Sequence, residues 1–423
     1  MGMGVVGSGV ARVLMQKSRH IAQQAGASVA IQGILVRNLS KPRAFEVPRH
    51  LLTSNAEDII GNPAVDIVVE VMGGEEPALD YIFKSISLGK HVVTANKQVM
   101  AKHGPDILTL ARKKGVQLLF EASVAGGIPI IGPLGKDLLA NDITALRAII
   151  NGTTNYILTE MSLNHSDFSI ALKEAQAHGY AEADPRNDVE GIDAAYKLAI
   201  LSTLAFHTRV RASDVHCEGI TSLGSKDFRY ARELGYNIKL LAIARQEKKG
   251  LQVRVHPALV PQQVLLAKVD GVFNAIEIEG DLSGRVVFHG QGAGSLPTTS
   301  AVLGDILEIA RNIASGISPT SSLLLREDIA IKPITELNTK YYMRLNVADM
   351  PGVLAQIARV LGDLKISIAS VIQKETDEKV QAAEIVIMTH TSREASMQQA
   401  IQQLKSLDIV RNVGSVIRVE EWS

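Results

Sequence analysis

The chain opens on Gly2-Met3-Gly4-Val5-Val6-Gly7, a G-x-G-x-x-G run, and its first third then alternates short β-branched runs with helical patterns. Together these two features constrain the fold more than anything else in the sequence. In a dinucleotide-binding fold such a run is the turn between the first strand and the first helix. Gly2 permits the tight turn, Gly4 lets the backbone approach a pyrophosphate, and Gly7 lets helix and strand pack closely. Residues 8–24 read as the helix whose N-terminal amides face the phosphates. Residues 28–36, 65–72, 90–95 and 116–122 read as buried parallel strands, with helical spacing at 77–88 and 106–114 between them. The alternation predicts a doubly wound α/β sheet with ligands at the carboxyl ends of its strands. The run has no residues before it to form its own strand. The expectation is therefore a start several codons upstream of Met1; without that strand, its inner neighbours are left unpaired and the core has a gap.

Beyond residue 125 the pattern changes. Glycine and proline at 126–133 mark a boundary, and strands at 143–150, 239–245, 251–255, 272–279 and 285–289 are interleaved with helices at 154–163, 168–178 and 192–205. This predicts an α+β substrate and dimerisation domain over 126–295. The helix at 298–313 belongs to a segment, 296–314, that returns to the nucleotide domain (1–125), and a linker occupies 315–340. The last 83 residues, 341–423, read βαββαβ, a ferredoxin-like module: strands at 341–347, 366–373, 382–389 and 409–419, helices at 352–364 and 392–407.

Balanced charge, 44 basic against 44 acidic residues, gives no field for nucleic acid or an anionic membrane. One cysteine, Cys217, excludes a disulfide framework and thiolate-rich metal sites. No apolar run reaches the length of a membrane span and no secretory signal opens the chain, so a cytoplasmic location is expected.

Three constellations carry chemistry. After the second strand, where a carboxylate would hold a ribose 2′-hydroxyl, stand Arg37 and Lys41; a guanidinium fork there favours NADP over NAD. Glu121 lies beside the glycine-rich loop 124–128, an oxygen-only donor set suited to a hard cation. The densest group runs from Gly179 to Asp188 and on to Asp193 and Lys197. Asp193 and Lys197 are i and i+4, so they share a helix face. The apolar residues around them predict burial, and a buried lysine with a partner suits proton transfer. Cys217, next to Glu218, is expected to be a small buried or half-buried residue rather than a nucleophile.

Gly2–Gly9, Thr94-Ala95-Asn96-Lys97, Glu121–Pro129, Asn151–Tyr156, Gly179–Arg186, Gly191–Lys197 and Gln291–Gly294 together resemble the homoserine dehydrogenases, and the match runs from residue 1 to about 314. Asp349-Met350-Pro351-Gly352-Val353-Leu354 is similar to the strand-to-helix turn of ACT domains, the amino-acid-sensing modules. The resemblance implies an NAD(P)-dependent, reversible reduction of aspartate 4-semialdehyde to homoserine. It makes Lys197 the proton donor, Asp193 its orienting partner, and Lys97 a neighbour of nicotinamide and substrate. Glu182 would bind the substrate ammonium, with Tyr180 and Asp188 beside it. The cofactor would rest on Gly2, Gly4, Val5, Val6, Gly7, Arg37, Lys97, Gly292 and Gly294. Glu121, Val124, Gly126 and Ile128 match a monovalent-cation site for an ion such as sodium. The ACT-like tail implies threonine as feedback inhibitor and a homodimer or homotetramer. Two rivals stand beside this reading: aspartate-semialdehyde dehydrogenase, which needs a nucleophilic cysteine, and a non-enzymatic amino-acid sensor on an inactive, truncated scaffold.

Overall fold

The structure is a computed structural model, and it describes residues 1–43, 45–248, 250–317, 325, 329–377 and 382–422. Much of the expected linker, including most of its Ser- and Thr-rich start, lies outside the described residues. The chain divides into two compact units. The first comprises Met1–Thr144, Tyr196–Ser213 and Ile278–Ile329; the second comprises Ala145–Ala195, Asp214–Glu277 and Ala330–Ser423.

In the first unit the glycine run leads directly into the helix Val5–Gln16, and the helix Ser18–Ala25 follows. The parallel strands are shorter than the sequence pattern suggests and form two pieces instead of one sheet. Ile34–Leu35 pairs with Leu52–Thr53, while Ile67–Glu70, His91–Thr94 and Leu118–Leu119 make a second, three-stranded piece. Met1 and Gly2 lie between the two. The Met1 amine donates to the Val69 carbonyl at 2.6 Å, Val71 N–H donates to the Met1 carbonyl at 3.0 Å, and Gly2 N–H donates to the Leu35 carbonyl at 3.0 Å. A cavity of about 280 Å³ adjoins this two-residue bridge, walled mostly by apolar side chains such as Val10, Leu14, Ile34, Val68 and Ile306. The predicted strand over 28–36 shrinks to two residues because a ladder forms only where a backbone partner stands opposite.

The helix Ser295–Ala314 packs on Val5–Gln16 through Val10, Leu14, Val302, Leu303, Ile306 and Ile309. Gly9 makes this contact possible: a Cβ there would lie 2.3 Å from Thr299 Oγ1.

The second unit is built on one run of strands. In hydrogen-bonded order they are Phe273–Gly280, Ile143–Ile149, Tyr236–Glu247, Gly250–Pro261, Val410–Val419, Asn338–Ala348, Ala382–Thr389 and Ile368–Asp377. The last four, with the helices Val353–Asp363 and Glu394–Lys405, make the expected βαββαβ module. Alternate residues Tyr341, Met343, Leu345 and Val347 face the helices and pack on Ile357, Leu361, Met397 and Leu404. The module is joined to the rest of the unit by parallel pairing of Arg418 with Ala258 and Val419 with Leu259.

The opposite face of the module sheet mixes buried charge with apolar side chains such as Val386 and Met388. The helix Ser225–Glu233, absent from the sequence reading, brings the fully buried Asp227 to this face. Asp227 accepts from Tyr342 Oη, from Arg344 Nε and Nη2, and from Ser415 Oγ. A second ionic group centres on Arg418, which donates to Glu394 at 2.6–2.8 Å and to Glu218 at 2.8 Å.

Candidate functional site

The cofactor side is built in the first unit from backbone. Gly2 has φ +91°, and a Cβ on it would meet the Val71 carbonyl oxygen at 2.8 Å; a Cβ on Gly7 would lie 2.2 Å from the Gly2 carbonyl oxygen. Both positions thus need glycine for close packing. At Gly4 a Cβ would meet nothing within 4 Å, so the backbone there faces open space. The helix Val5–Gln16 has no side-chain cap and no acidic residue in its first turn, which leaves its N-terminal amides available to an anion.

These residues border a cleft of about 680 Å³ that also takes in Arg12, Arg37, Asn38, Lys41 and Arg43. Among the described residues lining it there are four cationic side chains and no carboxylate. Arg43 is engaged by its own loop, donating to the carbonyls of Asn38, Leu39 and Lys41. Arg12, on the first helix, is a lining cation that the sequence reading missed. Val5 lines the cleft, whereas the Val6 side chain turns into the core between the two packed helices.

A second cleft of about 270 Å³ lies at the carboxyl end of the three-stranded piece. Lys97, Gly126, Lys197 and Gly292 line it together, with Gly73, Gly74, Asn96, Ser123 and Thr298. The local sequence explains how Lys97 is placed. Buried Glu70 accepts from Thr94 Oγ1 at 2.6 Å, Thr94 Oγ1 accepts from Asn96 N–H at 3.0 Å, and Asn96 caps the helix Lys97–Lys114 while donating to the Gly74 carbonyl. Gly294, with φ +126°, is the N-cap of Ser295–Ala314 and does not line this cleft.

The expected cation loop is only partly as anticipated. Glu121 turns its carboxylate onto the N–H groups of Ile130, Ile131 and Gly132 at 2.5–2.9 Å. Its side chain therefore engages the amides at the start of the short helix Ile131–Gly135. Val124 and Ile128 are buried, and Gly126 alone of these residues reaches the cleft. Behind them, burial pushes the Asp305 carboxyl up to about 8 even though it accepts Glu121 N–H at 2.9 Å.

The substrate-side candidates Tyr180, Glu182, Asp188 and Asp193 belong to the second unit. Tyr180 is exposed and stacks in a trio with Tyr156 and His178, at ring-centroid distances of 4.9–6.2 Å; its carbonyl accepts from Thr153 Oγ1. Glu182 is exposed. Arg186 holds the neighbouring Asp184 down to about 2. Asp188 and Asp193 both accept from the side-chain amide of Asn151, at 2.7 and 3.0 Å. Asp193 is buried as expected, but Lys197, farther along the helix Ile192–Ala205, is half-buried because its end reaches the cleft. Cys217 is exposed, not buried. Loss of hydration, with Glu218 and Glu190 beside it, still pushes its thiol up to about 11, and a thiol so rarely ionised is no nucleophile.

A glycine-built dinucleotide cleft and a neighbouring lysine-lined cleft at a parallel sheet's carboxyl edge define an NAD(P)-dependent oxidoreductase. Family models give the particular family: the homoserine dehydrogenase NAD-binding domain matches residues 2–121, homoserine dehydrogenase matches 129–307, and the ACT domain matches 341–408. The chain belongs to the homoserine dehydrogenases, oxidoreductases of amino-acid biosynthesis.

The homoserine dehydrogenase of Neisseria gonorrhoeae is 42% identical over 426 residues, covering 99% of this chain and 97% of its own. The crystal structure of a homoserine dehydrogenase from Thiobacillus denitrificans superposes with a TM-score of 0.92 at 44% identity, covering 99% of this chain and 97% of its own. A hyperthermophilic archaeal homoserine dehydrogenase in complex with NADPH matches with a TM-score of 0.62 at 27% identity, over 75% of this chain and 97% of its own. This membership sets aside both the aspartate-semialdehyde dehydrogenase reading and the non-enzymatic sensor. Among the described residues no helix is long and apolar enough to cross a membrane.

Proposed function

We propose that the chain interconverts aspartate 4-semialdehyde and homoserine with NADPH as the preferred reductant, and that Lys197 is its acid–base group. The observation that carries the reading is the convergence of Lys197, Lys97 and Gly292 on one cleft beside the glycine-built one. NADPH is favoured by Arg12, Arg37 and Lys41 around a carboxylate-free cleft, and the archaeal relative's complex with NADPH supports the same choice. When bound, the dihydronicotinamide supplies the hydride. The residues of the chain supply geometry and charge. The Lys197 ammonium stabilises the negative charge developing on the carbonyl oxygen and then gives that oxygen a proton. Asp193, one turn earlier on the same helix, orients Lys197, while Glu182 binds the substrate ammonium with Tyr180 and Asp188 beside it. Lys97 lines the same cleft as Lys197 and would neighbour nicotinamide and substrate there. The carbonyls of Val124, Gly126 and Ile128 would hold a monovalent cation such as sodium as a structural brace of this loop.

The ACT module makes threonine, a downstream product, the leading effector, and a module of this kind that binds ligand across paired copies implies a homodimer or homotetramer. The whole acts in the cytoplasm. The deciding experiment follows NADPH oxidation with aspartate 4-semialdehyde, with and without threonine. Lys197→Ala is expected to lose about 10²–10⁴-fold in turnover with NADPH affinity kept. Normal turnover in that variant sinks the assignment.

A further inference from the structure

The hydrogen bonds around Asn151 support an inference that rests on the role given to Asp193 above. Asn151 caps the helix Gly152–Asn164, and its side-chain oxygen accepts Thr154 N–H at 2.9 Å. The cap fixes the amide's orientation, because only the oxygen can face that N–H. The nitrogen must then point the other way, and its two protons meet two different carboxylates. Asn151 Nδ2 donates to Asp188 Oδ1 at 2.7 Å and to Asp193 Oδ2 at 3.0 Å. Asp188 comes from the short helix Arg186–Val189 and Asp193 from the first turn of Ile192–Ala205, so three segments meet at one side chain. Asn151 is 5% exposed and Asp193 4% exposed.

Two carboxylates that share a partner repel each other, and the buried Asp193 is costly without a donor, while Asp188 is half-buried. A neutral amide with two N–H groups serves both without adding charge. Capping alone does not call for asparagine: aspartate and serine cap a helix equally well. Neither offers two N–H donors.

We propose that Asn151 is a positioning residue. It holds Asp188 and Asp193 in the orientation that the reaction uses, and it acts on Lys197 through Asp193. The discriminating variant is Asn151→Asp. It preserves size and the helix cap but replaces the donors with a third carboxylate.

The expected result is an unchanged KM for NADPH and a kcat lowered about 100-fold, measured below a melting temperature that the added buried charge lowers. The acid limb of the kcat–pH profile should also move to higher pH, since three clustered carboxylates retain a proton where two did not. A wild-type kcat with an unmoved profile overturns the proposal. Should Asn151→Asp fold poorly, Asn151→Ser keeps a capping oxygen and must show the same loss of kcat with NADPH binding intact. Lys197→Ala, measured alongside, separates the two claims. Full activity there removes the role given to Asp193 and Lys197; an inactive Lys197→Ala beside a fully active Asn151→Asp removes only the positioning role.

Discussion

The two units use different materials to hold a site. In the first, the cofactor cleft is shaped by backbone: glycines at 2 and 7 where no Cβ fits, an uncapped helix start, and cations standing at the rim. In the second, the candidate substrate residues and the ACT module are tied down by buried charge, through Asn151 with its two carboxylates, Asp227 with Arg344, and Arg418 with two glutamates. Backbone sites tolerate changes at their rim but not at their glycines. Charge networks fail when one member is removed, since the partner stays buried without compensation.

Particular buried groups in the two units respond to pH in opposite directions. In the first unit Asp305 has its folded-state value raised, from 3.8 to about 8, by burial. Its contribution to stability is full below about pH 4 and is lost as pH rises through 8. In the second unit burial pushes Glu394 upward, but the hydrogen bonds and charge of Arg418 outweigh it and leave the carboxylate below its usual range; Glu218 is lowered in the same way by His216 and Arg418. His256 is held well below 6.5 by burial, with Arg418 and Arg254 beside it. For these three groups stability is present above their unfolded values and is lost as pH falls through the folded ones.

Three measurements press on the contrast. Arg418→Ala removes the cation from buried Glu394, leaving it only the neutral donors Tyr341 and Gln398, and is expected to cost about 3–5 kcal/mol in denaturant unfolding, with NADPH affinity unchanged. A loss below 1 kcal/mol would mean that the network contributes little. Asp305→Asn keeps an acceptor for Glu121 N–H while removing the ionisable group. It should stabilise by a few kcal/mol at pH 8 and by almost nothing near pH 4, on the order implied by its shift; a difference that does not vary with pH contradicts the account. The smallest effect is expected at the rim, where Arg37→Ala should weaken NADPH binding roughly tenfold and leave NADH nearly untouched. Equal losses for both cofactors would dissociate Arg37 from the 2′-phosphate.

What the sequence made legible follows the same division. The helix Ile192–Ala205 and the strand Ala382–Thr389 run where their apolar patterns place them, and the glycine run leads into its helix. Such features are local, written in spacing and in residues that only one backbone conformation suits. The helix Ser225–Glu233 was not legible: Ser-Lys-Asp-Phe-Arg-Tyr-Ala-Arg-Glu shows only a short apolar stripe, and its most buried residue is the charged Asp227. Arg344 and Tyr342 bury it from more than a hundred positions away. Asn151 was visible within its motif, but its link to Asp188 and Asp193 depends on three segments meeting. The partners of the Glu121 carboxylate were not legible for a similar reason, since nothing in the loop's composition reveals that the amides of 130–132 lie within its reach.

The seam at Arg418 and Val419 has a mechanical consequence. Neighbouring strands in this sheet run side by side over as many as twelve register pairs, and such a ladder bends as a plate. The ACT module is attached to the strand Gly250–Pro261 by two rungs only, and one of those two residues is the arginine that grips both glutamates. That short backbone seam is not the only tie: Asp227 holds Tyr342, Arg344 and Ser415 of the module, and Tyr230 reaches its Glu384. The module is therefore clamped by side chains on either side of a narrow ladder, and any shift of it must carry or break those clamps.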